Sequence, residues 1–189
     1  MPQITPLEVF NIKKDGASIA LNIARLWQSE RFQIYTSALT PLSTSDLRAL
    51  LPGPVEENVV IGTFTCEALG IAGRPEETFF IDRIKLEAHF QGLGLYFCFQ
   101  DDAFPIREAK NHPGGDKAEE TIWVVHKPVH CTQGNSDMLC LFTVGCEKGC
   151  KPFLGAVGLS DSESLSVGLG ACKLQPKRVL ALRMTKPPF

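Results

Sequence analysis

About nine short segments rich in β-branched and aromatic residues recur along this chain, set apart by Gly, Pro, Asn, Asp and Ser. They run from "RFQIYTSAL" through "NVVIGTFTCE", "TIWVVHKPVHCT", "MLCLFTVGC" and "KPFLGAVGL" to "RVLALRM". Many short strands at close spacing, preceded by one or two helices, predict an α+β but mainly β fold. The expected architecture is an antiparallel β-sandwich or barrel with N-terminal helices. No linker interrupts the pattern, so residues 1–189 read as a single domain long enough to bury a sizeable core. Its part from about 15 to 51 is expected to be helical, and its part from about 58 to 184 to be β-rich.

The helical expectation rests on two stretches. In "DGASIALNIARLWQSER", Ile19, Ile23, Leu26 and Trp27 lie near helical spacing, and Asp15 is placed to cap them. In "STSDLRALLPGP", Ser43 and Asp46 have capping-box spacing, and Pro52-Gly53-Pro54 ends the segment. The β expectation is sharpest over "FFIDRIKLEAHF". Here Ile84, Leu86, Ala88 and Phe90 alternate with Arg83, Lys85, Glu87 and His89. "QGLG" then interrupts before "LYFCFQ" resumes, which predicts a β-hairpin covered on one face.

Charge and hydropathy exclude some classes of function. Acidic and basic residues are scattered, with a formal net charge of -2, so no basic stripe marks a nucleic-acid surface. No apolar run approaches the roughly 18 residues of a membrane-spanning helix. The first residues lack the basic start and apolar core of a signal peptide, so a cytoplasmic setting, or that of a host cell, is expected. In such a compartment the seven cysteines are expected to be reduced.

The densest chemistry lies in "HKPVHCTQGNSDMLC", residues 126–140, followed at once by Cys146 and Cys150. His130, Cys131, Cys146 and Cys150 are the candidate ligands for a zinc ion. Against them, Pro128 separates His126 from His130 in β-favouring sequence, where four residues cover roughly 13 Å. A two-residue turn at Gly134-Asn135 instead pairs Cys131 with Met138 and Val129 with Cys140. Both sulfurs then face the core, as diagonal neighbours about 7–8 Å apart, longer than a disulfide usually tolerates. Cys146 and Cys150 flank a turn at Glu147-Lys148-Gly149. That position suits a disulfide under oxidising conditions or a shared metal under reducing ones.

As a nucleophile, Cys131 needs a base brought in by the fold, since neighbouring His130 points to the opposite face of a strand. The candidates are His112, in a loop before Pro113-Gly114-Gly115, and His126. No nucleophile elbow and no phosphate-binding glycine pattern is present.

The leading expectation is a non-catalytic protein that binds a protein partner or copies of itself, with no cofactor. The polar stretch 101–120 is the expected contact region, and Phe104, Arg107, His112 and Lys117 are its candidate binding residues. Two alternatives accompany it. One is a cysteine-dependent hydrolase or transferase using Cys131 with a loop histidine. The other is a β-barrel carrier of a small apolar ligand, enclosed by some of the twelve phenylalanines.

Overall fold

The structure is a computed structural model. It describes residues 4–16, 19–29, 31–35, 56–79, 81–110, 120–133, 136–146, 150–159 and 173–187. Among the described residues there are eight strands: β1 (Glu8–Asp15), β2 (Gln33–Ile34), β3 (Glu56–Thr65), β4 (Glu120–Val124), β5 (Val129–Gln133), β6 (Ser136–Cys146), β7 (Phe153–Leu159) and β8 (Val179–Arg183). They form one sheet in the order β1-β3-β8-β4-β6-β7-β2, with β5 added beside β6. The sheet curls into a half-barrel. Mainly β architecture is therefore as expected, but the pairing is mixed: β4 runs parallel to β8, and β2 parallel to β7.

The central strands are apolar on both faces, and this is why they read as continuous hydrophobic runs. Along β4 and the residue after it, Ile122 and Val124 enter one core while Trp123 and Val125 enter the other. In β8, Ala181 faces the first core, and Leu180 and Leu182 the second. Helices α1 (Ile19–Gln28) and α3 (Ala103–Ala109) cover the first face through Leu26, Phe104 and Ile106. Helix α2 (Arg83–Gly92) and residues 66–79 cover the second through Leu69, Ile71, Phe79, Leu86 and Phe90.

Helix α1 lies where its sequence predicts, four residues after Asp15. That residue ends β1, and its carboxylate accepts a 2.6 Å hydrogen bond from Arg25. The strand β1 itself was not anticipated. The helix expected over 43–54 lies outside the described residues.

The hairpin expected over 79–99 is not formed, because residues 83–92 are helical. Leu86 and Phe90, four apart, are buried, whereas Ile84 is 77% exposed and Ala88 also faces out. A pair spaced by four satisfies a period of two and a helical turn equally, so the alternation did not discriminate between them. The glycine after the helix does its work differently from a hairpin turn. Gly94 adopts φ +74°, Gly94 N–H donates to Gln91 O, and Leu95 N–H donates to Phe90 O. This is a Schellman cap, completed by apolar Leu95 and Phe90 in one core.

The stretch 101–120 is likewise not a continuous loop. Residues 100–102 form a 3-10 turn and 103–109 form α3, with Ala103, Phe104, Ile106 and Arg107 buried. The hidden face includes an arginine, which breaks the hydrophobic periodicity that would have announced a helix. Residues 111–119, with His112 and Lys117, lie outside the described residues.

Candidate functional site

Segment 96–100 leaves α2 and wedges into the sheet where β8 and β4 part. Tyr96 and Arg183 exchange backbone hydrogen bonds at 2.9 Å, and Cys98 N–H donates to Val125 O at 2.7 Å. Phe99 N–H donates to Asp102 Oδ2 at 2.7 Å, and Gln100 Nε2 to Lys127 O at 3.2 Å. The segment is thus held at four successive alternate or neighbouring positions, and it forms a rigid wall.

That wall borders an open groove of about 740 Å³. Tyr96, Phe97 and Phe99 supply aromatic surface, and Arg83, Glu87 and Gln91 face it from α2. Lys127 and Lys186 stand on the remaining rim. Arg83 lies 3.8 Å from Glu87, while neither rim lysine has an ion-pair partner among the described residues. Three cations against one carboxylate make the groove positive on a chain that is negative overall. Beside its groove face, α2 presents Ile84 and Ala88 to solvent, and Ile81 just before the helix is 65% exposed.

Behind Phe99 lies a buried ionic cluster. The Arg183 guanidinium stacks on the Phe99 ring at 4.0 Å and donates to Asp102 and Glu57, to each through two nitrogens. Lys14 reaches Asp101 at 2.6 Å and Asp102 at 3.0 Å. Burial works against the Lys14 charge, but the Asp102 and Asp101 carboxylates outweigh it and hold the ammonium pKa up. Burial pushes the Asp101 carboxyl upward, against the pull of Lys14. Cys98, on the groove floor, is buried beside this cluster. Desolvation first, and then the Asp102 charge, raise its thiol well above the ordinary range, which works against thiolate formation there.

His126 has a structural task. Strand β6 is paired by β5 up to Cys140 and by β4 from Thr143 on, which leaves a gap on that edge. The His126 ring fills the gap: Phe142 N–H donates to Nε2 at 2.9 Å, and Nδ1–H donates to Lys127 O at 2.8 Å. Both ring nitrogens are committed, and burial lowers the pKa to about 4. As a base for Cys131, His126 therefore has no free nitrogen. His89, partly buried, donates from Nε2 to Leu69 O at 2.7 Å.

Among the described residues, the other expected site residues are not gathered. Phe104 and Arg107 are inside the core, 2% and 0% exposed, and present no contact surface. Arg107 donates to Gly145 O and Lys110 O. Burial lowers its pKa to about 10, which leaves it charged at neutral pH. The predicted pairing of β5 with β6 is present, Cys131 opposite Met138 and Val129 opposite Cys140. Cys131 therefore sits eight residues, roughly 26 Å of strand, from Cys146, so the proposed zinc ligands do not converge. Among the described residues no three His, Cys, Asp or Glu side chains form a metal-binding group. Cys140 is disulfide-bonded rather than a reduced core thiol, to a cysteine whose side chain is outside those described.

Sequence reasoning missed the groove. Its cations are separated by 44 and 59 residues, and only Tyr96, Phe97 and Phe99 formed a visible cluster. No protein family matches the chain, and no curated protein or solved structure resembles it at a significant level.

Proposed function

We propose that this protein is a non-catalytic binding protein, and that it takes up an acidic, aromatic-anchored segment of a protein partner in the groove between α2 and residues 96–100. The observation that carries this reading is the convergence of Arg83, Lys127 and Lys186 around a preformed aromatic wall. Positive rim charges steer and orient an acidic partner, while aromatic and apolar surface supplies affinity. Exposed Ile81 and Ile84 extend the contact beyond the concavity, which favours a macromolecular ligand. The groove replaces 101–120 as the contact region, because 103–109 is built into the core.

A carrier of a small ligand is the second reading, since about 740 Å³ lies within the range of small-molecule sites. Fluorescence anisotropy with an acidic peptide containing one aromatic residue, and with its lysine-substituted counterpart, separates the possibilities. The acidic peptide is expected to bind, with affinity falling as salt rises. Lys127→Glu/Lys186→Glu, at two exposed positions, is expected to weaken it by about ten-fold or more. Equal binding of both peptides, or indifference to charge reversal, refutes the proposal. A small molecule released when the purified protein is denatured would favour the carrier.

A further inference from the structure

We infer that Cys146 and Cys150 form a redox-active dithiol, one that closes to an intramolecular disulfide on meeting a small-molecule disulfide such as oxidised glutathione. Cys146 is the last residue of β6, and Cys150 stands three residues before β7. Neither cysteine is disulfide-bonded, and the Cys146 sulfur lies 3.7 Å from the backbone oxygen of Cys150. That contact brings the sulfur of one cysteine to the main chain of the other.

The two residues differ from Cys66 and Cys98 in access. Cys66 and Cys98 are buried, and desolvation raises both, Cys66 to about 11. Cys150 is exposed and Cys146 partly so. Reaction with a disulfide requires thiolate and an open approach to it, which selects the second pair. The nucleophile of the second step, Cys146, also follows a well-held residue. Gly145, the residue before Cys146, pairs with Phe153 of β7 and accepts a 3.0 Å hydrogen bond from Arg107.

The Cys150 thiolate attacks one sulfur of oxidised glutathione, breaking its S–S bond and expelling a glutathione thiolate. The Cys146 thiolate then attacks the Cys150 sulfur of the mixed disulfide and expels the second glutathione. The two thiol protons pass to the two glutathione thiolates. The protein loses two hydrogens and the oxidant becomes two thiols, so the exchange balances. Excess reduced glutathione reverses it.

Intact-mass and peptide-mapping spectrometry of the full chain, incubated with oxidised glutathione, tests this. The expected product lacks two hydrogens, carries no glutathione and contains a Cys146–Cys150 link. Cys146→Ser is expected to stop at the glutathione adduct on Cys150. Wild-type protein that accumulates stable adducts, or that resists oxidation at both positions, overturns the inference. The wild-type result alone decides this, so folding of the variant is not required.

Discussion

Asp102 grips Arg183 through both carboxylate oxygens, Oδ2 on Nε at 2.7 Å and Oδ1 on Nη2 at 2.9 Å, with neither side chain open to water. The same Asp102 receives Lys14 and the Phe99 N–H, so one carboxylate joins β1, β8 and the groove wall. Removing it leaves buried cations facing each other across the space it filled. Asp102→Ala is expected to cost about 3–5 kcal/mol, read as the shift in a urea unfolding curve. A loss below about 1 kcal/mol would mean that the cluster relaxes or admits water.

Phe99 separates this cluster from the groove. Phe99→Leu keeps an apolar side chain but removes the ring on which Arg183 stacks. Stability is expected to fall by about 0.5–2 kcal/mol, with a matching loss of peptide affinity. Loss of affinity at unchanged stability would show that the ring contacts ligand alone.

The pH dependence of stability is expected to carry the signature of His126. Its folded pKa of about 4 lies below the unfolded value of 6.5, so the unfolded chain binds the extra proton first. The stability due to neutral His126 is full above pH 6.5 and is lost as pH falls from there towards 4. That amounts to about 3 kcal/mol over the window. Urea unfolding at successive pH values reads it, and His126→Gln is expected to flatten the curve over the same range. An unchanged slope in that variant would place the effect elsewhere.

Gly94 tests the helix cap without steric ambiguity. A Cβ there meets nothing within 4 Å, so Gly94→Ala is charged only for φ +74°. The expected cost is about 1–2 kcal/mol, smaller for Gly94→Asn. Equal cost for both variants would argue that something besides the backbone angle is disturbed.

Gly145 is the opposite case. A Cβ there would stand 2.5 Å from Glu120 O and 2.7 Å from the Phe153 ring. Gly145→Ala is expected to destabilise by about 1–3 kcal/mol and to loosen the β4–β6 pairing, visible as faster amide exchange in β4. Retained protection would show that the two strands can part without loss.

Much of this fold was legible in local patterns. β-Branched runs located β3, β4, β6, β7 and β8, whereas β4 and β5 read along the chain as one strand dented at Pro128. The turn at Gly134-Asn135 implied the Cys131–Met138 register, because a two-residue connection allows one pairing. Where a pattern had two physical meanings, the chain alone did not choose. Leu86 and Phe90 fit a strand as well as a helix. Arg107, charged by type and buried by position, concealed α3, because its hydrogen bond to Gly145 O reaches a partner far away in sequence. The groove depends wholly on such partners. Arg83, Lys127 and Lys186 are ordinary surface cations along the chain, and they become one positive rim only when β8 brings residue 186 beside α2. Local propensity therefore accounts for most of the strands, whereas β1, helix α2, the ionic cluster behind Phe99 and the groove depend on contacts between residues far apart in sequence.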